Sequence, residues 1–569
     1  MDQKLEESKR SPMMQQWYEC KQKAPLALLF FRLGDFYEAF YDDAVIIAKE
    51  LDLTLTHRQD IPMCGVPWHT QESYVDKLVL KGYHVAMAEQ LEDPKKTKGI
   101  VKRDITRIVT PGTVIASGLL QENANNFLAS IAITKDTYGI AFIDVTTATF
   151  FAIETKDERE FLAELFRQKP KEILVSKQID KIHPHIIREI QQNMKVCITK
   201  TDDWFFDFEF CKEKLYSHFN VLSLDGFGFK DKRQSIIAAG SLLRHIQEQL
   251  LLPIHHIQKL FPRSGENSLS LDRATLSNLE ITEPLHEDNH HTTLLYVLDE
   301  TKTPMGARLL KQWLKSPLID VEKITRRQDA IESFHSLECT VLEKEFSKVR
   351  DLERLVMRIK TGLSTPRDFV ALASSLFPIP HIKAALQNTS SSRLQNLLQK
   401  IDGHTDVSEY IRTSLNDSQP LRVSDGNVIR FGFSKELDEL RAIKDNSNAW
   451  LLEYQMRLQA ETQIKTLKVG YNKMFGYFVE VSRGQADKMP STFERRQTLV
   501  NQERFTNADL REFEQKIVTC EDKILELETL LFQAIQDSVA MHYAAILRTA
   551  QSLAEVDVLY GLSLVAKKR

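Results

Sequence analysis

The strongest constraint in the sequence is a heptad pattern of apolar residues near its C-terminal end. The pattern continues for more than three heptads through Leu510, Phe513, Ile517, Cys520, Ile524, Leu527, Leu531 and Ala534. This 3-4 spacing predicts a long helix that packs against another helix as a coiled coil. A weaker row between Leu437 and Leu458 predicts its partner, and two alternating runs around 472–476 predict a strand pair between them. The pattern indicates two antiparallel arms that carry a small β-rich tip.

Composition sets the scale of the rest. With 569 residues, of which 42% are hydrophobic and 27% charged, the chain is expected to form about four globular domains. No run of 18 apolar residues occurs, and the polar first residues lack a secretory signal, so we predict no membrane span and a cytoplasmic location. The net charge of −4 means that any nucleic-acid surface must be a local basic patch. The six scattered cysteines favour a reducing compartment.

Five segments are predicted: a small mixed α/β domain over 1–121, a second α/β domain over 122–262, an all-α region over 263–433, the arms and tip over 434–532, and a returning helical part over 533–569. In the first segment, we predict a strand at Leu26–Phe31, a turn at Gly34–Asp35, a helix from Phe36 to Leu51 capped by Asp35 and Glu38, a strand at Leu53–Thr56 and a turn-rich loop at Ile61–Trp68.

Catalytic motifs are absent from the sequence. It has no GxxxxGK[ST] phosphate loop, no HExxH, no GxSxG and no GxGxxG. The pairs His255–His256 and His290–His291 have no cysteine partner at zinc spacing, so they are interpreted as surface or interface residues rather than metal ligands. Asp144 ends a predicted strand and suggests a metal-dependent nuclease, but that chemistry needs several convergent carboxylates. We favour a solvated strand-end aspartate, with no catalytic residue and no metal site.

The segment GDFYE allows two interpretations. Phe36 can be a core residue on the predicted helix, with Glu38 as its cap. Alternatively, Phe36 projects beside the turn, where an exposed ring can enter a stack of bases.

The predicted tip is rich in basic and amide side chains that suit contact with DNA phosphates. They are Lys465, Lys468, Lys473, Arg483, Arg495, Arg496 and Asn501. Acidic residues lie among them, so a mixed solvated surface is the alternative.

Several long motifs resemble the MutS family of bacterial DNA mismatch-repair proteins. GDFYEAFYDDA, IPMCGVPWH and RIVTPGT resemble its first domain. LDETKTPMGARLLKQWL, LKVGYNKMFGYFVEVS and RRQTLVNQERF resemble its core and clamp. The resemblance runs in family order from about residue 12 to the end.

The resemblance implies that Phe36 and Glu38 contact the mispaired base. It implies a ribonuclease-H-like connector over 122–262, a helical lever or core, and a clamp that holds duplex DNA. Arg58 and Arg107 are candidates for backbone contact beside the defect.

The family continues into an ATPase domain that binds ATP and Mg, whereas this chain stops at LYGLSLVAKKR. We therefore expect no enzyme activity and no cofactor in this chain itself. The resemblance also implies a homodimer in the whole protein and MutL as a partner. A nuclease built around Asp144 and a coiled-coil scaffold that binds only protein remain alternatives.

Overall fold

The structure is a computed structural model that describes residues 11–92, 99–115, 120–263, 268–286, 289–335, 340–472, 476–498 and 501–568. The chain divides into two compact units. One comprises 1–361, 378–403 and 543–569, and the other 362–377 and 404–542. Among the described residues, no helix is both long and apolar enough to cross a membrane.

The first unit opens with a six-stranded sheet in the order β3-β4-β2-β1-β5-β6. Its strands are β1 (Leu28–Leu33), β2 (Phe36–Phe40), β3 (Thr56–Arg58), β4 (Ile61–Pro67), β5 (Val85–Gln90) and β6 (Arg103–Val109). Helix α1 (Pro12–Lys23) packs on one face, and α2 (Tyr41–Leu51) and α3 (Gln71–Leu80) pack on the other. The mixed α/β architecture expected for this segment is thereby observed.

Three local predictions in this sheet were wrong. Phe36–Phe40 is a strand rather than the start of a helix, because it hydrogen-bonds to β1 on one side and to β4 on the other. The chain turns sharply at Tyr41, the first residue of α2, whose φ of +55° ends the strand. The segment predicted as a loop at 61–68 is strand β4, and the strand predicted at 53–56 is instead β3, three residues later.

A second six-stranded sheet follows, in the order β11-β10-β7-β8-β9-β12. Its strands are β7 (Leu128–Ile133), β8 (Tyr138–Asp144), β9 (Thr149–Thr155), β10 (Glu172–Ser176), β11 (Cys197–Thr201) and β12 (Phe261–Pro262). Its helices are α4 (Glu158–Gln168), α5 (Ile179–Ile182), α6 (Pro184–Asn193), α7 (Phe208–Phe219) and α8 (Arg233–Arg244). β7, β8 and β9 form an antiparallel meander, and β10 and β11 continue the sheet parallel to β7.

The rest of the first unit is helical. It contains α9 (Arg273–Asn278), α10 (Leu294–Leu298), α11 (Pro304–Lys315), α12 (Val321–Ser333), α13 (Thr340–Phe346), α14 (Leu352–Lys360), α16 (Ile379–Ala385), α17 (Ser392–Lys400) and α21 (Tyr543–Lys568). α21 lies at the centre and packs against α11, α12, α14 and α17. Its buried Asp557 accepts hydrogen bonds from the backbone N–H groups of Lys302 and Thr303, just before α11 begins. This contact joins segments that are about 250 residues apart in sequence.

The second unit contains the two arms. Its elements are α15 (Pro366–Leu376), α18 (Thr405–Ser414), α19 (Lys435–Thr462), β13 (Lys468–Asn472), β14 (Gly476–Ser482), β15 (Glu494–Thr498), β16 (Gln502–Thr506) and α20 (Ala508–Met541). α19 and α20 pack along each other, and the four strands form an antiparallel sheet in the order β13-β14-β16-β15. Helical arms with a β-rich tip are therefore present.

The predicted heptad pattern of Leu510 to Ala534 matches the buried face of α20 only in part. Near the tip, the Trp450 ring stacks on Phe513 with centroids 3.9 Å apart, and Asn507 donates a hydrogen bond to the Tyr454 hydroxyl at 2.8 Å. Farther along α20, Ala534 is exposed, while Phe532 and its neighbour across one turn, Ile535, are buried. A straight helix has 3.6 residues per turn, so its buried face drifts away from a strict seven-residue repeat.

One ion pair lies inside the arm packing. The Glu528 carboxylate is fully buried and accepts a hydrogen bond from the Arg441 guanidinium. Arg441 also donates to the carbonyl of Ile429 at 2.8 Å. The pair links one position on each arm, so it helps to set their register.

Removing one partner of this pair should destabilise the arms strongly. Arg441→Met leaves the Glu528 charge buried without its partner, which costs about 3–5 kcal/mol. We expect this loss in the free energy of unfolding, measured by urea titration. Combining Arg441→Met with Glu528→Leu should recover most of it.

The matched control is the exposed pair between Lys444 and Glu521, which are 2.8 Å apart on the same two helices. Lys444→Met should change stability by less than about 1 kcal/mol. Equal losses for Arg441→Met and Lys444→Met would contradict the structural role of the buried pair.

Candidate nucleic-acid interface

The first candidate surface is the open end of β2. Gly34, with φ of +57°, is the first residue of the two-residue turn that joins β1 to β2, a position that favours glycine. Phe36 follows this turn as the first residue of β2, and its side chain is 47% exposed. The ring therefore reaches solvent, as the wedge interpretation requires.

Alternation along β2 explains this exposure. Side chains of a strand point to opposite faces in turn. Tyr37 and Ala39 enter the core beneath α2 and α3, whereas Phe36 and Glu38 lie on the other face. On that other face, Phe40 packs into the core beneath α1. Phe36 and Glu38 are thus neighbours on one face of the sheet, at the end where Phe36 is open.

The strand beside them has a glycine opposite Glu38. In the pairing of β2 with β4, Gly65 stands opposite Glu38 and Pro67 stands opposite Phe36. A Cβ atom added at Gly65 would lie 3.4 Å from the Glu38 Cγ, so glycine at this position places no side chain against Glu38. The sequence did not point to Gly65 and Pro67 as part of this surface, because two prolines and a glycine in the segment suggested a loop. The buried Cys64 and Val66 between more exposed neighbours were the overlooked signal.

Glu38 is poorly satisfied in this position. Its Oε2 atom is buried without a hydrogen bond, and its nearest cation is Arg58, whose Nη1 lies 3.5 Å away. Burial raises the pKa of Glu38, and the Arg58 charge partly offsets that rise. The carboxyl therefore has an unused acceptor atom and is more easily protonated than an ordinary glutamate.

The structure brings Arg58 to this surface but leaves Arg107 elsewhere. Arg58, the last residue of β3, stands opposite Ile61 of β4 on the exposed face of these two strands. The Arg58 side chain is half exposed. Arg107 lies on β6, three strands from β2, which is roughly 14 Å across the sheet. It points to the opposite face, where its guanidinium lies 3.8 Å from Glu72.

The second candidate surface is the sheet at the tip of the arms. The described candidates there are all exposed: Lys465, Lys468, Arg483, Arg495, Arg496 and Asn501. Lys473 lies outside the described residues. Arg495 is paired with Glu503 at 2.9 Å, whereas Lys465, Lys468, Arg483 and Arg496 form no ion pair with the residues that the structure describes. These four cations are therefore available to an external anion.

Arg496 occupies a special place on this tip. The register of β15 against β16 shifts between Arg495 and Gln497, so Arg496 is the extra residue of a β-bulge. Such bulges redirect a side chain away from the ladder. By contrast, Arg504 is held by Glu480 at 2.9 Å and is not free to bind a ligand.

Two other sequence-based expectations need correction. Asp144 is fully buried rather than solvated, and its carboxylate accepts hydrogen bonds from Asn125, Asn126 and Thr146. Within the described part of the chain, no group of three or more His, Cys, Asp or Glu side chains is arranged to hold a metal ion. His256 is buried as well, with Nε2 2.8 Å from the Val145 carbonyl, and burial lowers its pKa to about 4.

Comparison with known proteins agrees with this organisation. Sequence models of MutS domain I, MutS domain II and MutS domain III match residues 11–118, 126–258 and 274–563. The chain is thus a modular protein with two α/β domains followed by a helical body that includes the paired arms. It belongs to the MutS family.

Similar curated relatives are described as DNA mismatch repair protein MutS. The protein from Protochlamydia amoebophila is 48% identical over 99% of this chain and 66% of its own length. Those from Chlamydia trachomatis serovar L2b and Lachnoclostridium phytofermentans are 39% and 38% identical over 98% of this chain, and over 68% and 60% of their own lengths. The chain thus spans about two thirds of the length of the curated relatives it matches.

The proximity of Arg58 makes the protonation of Glu38 testable. Replacing Arg58 with Gln removes the nearby positive charge, so the pKa of Glu38 should rise further above its ordinary value. The measurement is a carboxyl titration by NMR on protein labelled with ¹³C-glutamate, with Glu38→Gln to assign the resonance. Lys49→Gln, a change in the same domain, is the control. An unchanged Glu38 titration in Arg58→Gln would show that the two groups do not interact.

Proposed function

We propose that this chain recognises mispaired or unpaired bases in duplex DNA and thereby serves the initiation of mismatch repair. The observation that carries the proposal is the position of Phe36 and Glu38, side by side on an exposed sheet face beside Gly65. The MutS family membership and the names of the relatives support it.

The ring of Phe36 acts as a wedge at a weak step of the duplex. Bending a site by 40–90° costs on the order of 1–6 kcal/mol, and unstacking is easiest where pairing is already poor. Stacking of a base on an aromatic ring returns about 1–3 kcal/mol. The balance is favourable at a defect and unfavourable at a matched step, so deformability rather than base sequence selects the site.

Glu38 reads the unpaired base edge. The charged carboxylate accepts a hydrogen bond from a base N–H, and the protonated form donates one to a ring nitrogen. The buried, unbonded Oε2 atom and the raised pKa of Glu38 support both modes. Matched DNA offers no free base edge, so the negative charge near phosphates then disfavours binding. Arg58 provides a neighbouring contact for the backbone.

The tip of the arms holds the duplex backbone without reading its sequence. The exposed cations Lys465, Lys468, Arg483 and Arg496, together with Asn501, suit phosphate contacts. Arg495 contacts a phosphate only when its ion pair with Glu503 breaks. Phosphate contacts of this kind supply affinity that depends strongly on salt.

The second α/β domain is a connector of ribonuclease-H-like fold. Its antiparallel meander followed by two parallel strands, in the order β9-β8-β7-β10-β11, supports that assignment. The hydrogen bonds that occupy Asp144 argue against nuclease chemistry there.

The whole protein's ATP-dependent steps, its homodimer and its partner MutL are part of the same proposal and rest on family membership alone. The residues present do not fit ATP with Mg in the family's manner, because the sequence has no phosphate loop.

Loss of the wedge should abolish discrimination but not all binding. Phe36→Ala removes the stacking partner, so we expect the preference for a G·T duplex over its matched duplex to fall about tenfold or more. Competition bandshifts measure the preference. Phe261→Ala is the control, because that ring is similarly exposed at 55% in the second α/β domain. Full preference in Phe36→Ala would exclude the wedge.

Neutralising the tip should weaken matched and mismatched binding alike. We expect each of Lys465→Gln, Lys468→Gln and Arg496→Gln to lower the slope of log affinity against log salt by about one unit. The control is Lys435→Gln, whose 92% exposed side chain lies at the other end of the same arm. If Lys435→Gln lowered the slope as much as the tip variants, the grip would not be local to the tip.

A further inference from the structure

A cavity of about 280 Å³ in the first unit is lined by four lysines. Lys169 and Lys171 come from the loop between α4 and β10, while Lys311 and Lys315 lie one turn apart on α11. Amide side chains, including Gln121 and Gln312, complete the wall. The lining therefore offers positive charge and neutral hydrogen-bond donors together.

The acidic residues of the cavity do not neutralise these lysines. The Arg308 guanidinium also lines the cavity. It forms ion pairs with Glu353 and Asp351, each at 2.6 Å. Glu283 is then the one carboxylate left for the four lysines among the described lining residues, and it contacts Lys169. The cavity has an excess of positive charge.

The two lysines of α11 show the consequence. Lys315 donates a hydrogen bond to the backbone carbonyl of Arg167 at 2.8 Å, whereas Lys311 forms neither a hydrogen bond nor an ion pair with any described residue. Burial and the neighbouring lysines lower the pKa of both groups, and that of Lys315 falls to about 7. The charged groups that act on Lys315 are Lys169, Lys311, Glu283 and Glu164. An anion in the cavity would relieve this repulsion.

We propose that this cavity binds a small oligophosphate anion through Lys169, Lys171, Lys311 and Lys315. A short phosphate chain matches both the excess of positive charge and the volume of the cavity. A DNA duplex is too wide to enter, because its major groove alone is about 12 Å across. Lysine ammonium groups and side-chain amides are suitable donors to phosphate oxygens. The site is separate from the surface that carries Phe36 and does not depend on the proposed DNA reading.

The test is calorimetric titration of the 569-residue chain with inorganic triphosphate at low salt and without DNA. We expect saturable binding to one site, and a loss of about tenfold or more in affinity for each of Lys311→Gln and Lys315→Gln. Lys171→Gln alters an exposed side chain and should give a similar loss without disturbing the fold. Lys156→Gln, exposed on the same domain, is the control and should bind as the parent chain does.

A second readout concerns protons. Because a bound anion favours charged Lys315, binding at pH 8 should take up protons, and the heat should vary with the ionisation enthalpy of the buffer. That variation should be smaller in Lys315→Gln than in the parent chain.

Three results would overturn the proposal. They are the absence of saturable binding to the parent chain, affinities of Lys171→Gln, Lys311→Gln and Lys315→Gln equal to that of the control Lys156→Gln, and full displacement of triphosphate by matched duplex DNA. The last result would assign the lysines to the DNA backbone instead. Loss of mismatch preference in Phe36→Ala leaves all three measurements unaffected, so the two proposals fail independently.

Discussion

The alternation of side chains along one five-residue strand is the constraint on which the candidate reading surface depends. Tyr37 and Ala39 are buried in the core, and this fixes β2 between its two neighbours. The same alternation forces Phe36 and Glu38 onto the opposite face, where α1 covers Phe40 but leaves the first residue open. An exposed ring and a half-buried carboxylate are thus consequences of how the core is packed.

Contacts between the two arms likewise fix the position of the surface that they carry. Aromatic stacking of Trp450 on Phe513 near the tip, and the buried pair of Arg441 with Glu528 farther along, hold two helices of about 30 residues in one register. A buried ion pair contributes specificity of register more readily than net stability. With the helices held, the tip sheet carries exposed cations such as Arg496, which lies at a bulge.

Sequence reasoning failed where tertiary pairing overrode a local pattern. Residues 36–51 carry a helical pattern and a plausible cap, yet the first five of them form a strand because two neighbouring strands supply their hydrogen bonds. Prolines and a glycine suggested a loop at 61–68, but Pro62 and Pro67 lie near the ends of β4, where a missing N–H is tolerated. Asp144 looked solvated at a strand end, although backbone and side-chain donors from 125, 126 and 146 enclose it.

The sequence by itself determined the order of the α/β and helical segments, the paired arms with their β-rich tip, and Phe36 and Glu38 as the residues to examine, because periodicity and motifs are local properties of the chain. Only the tertiary structure decided that Phe36 is exposed, that Gly65 stands opposite Glu38, that Arg58 and not Arg107 lies beside Glu38, and that four lysines share one cavity. The physical reason is that strand pairing and domain packing bring together residues whose separation in sequence carries no signal.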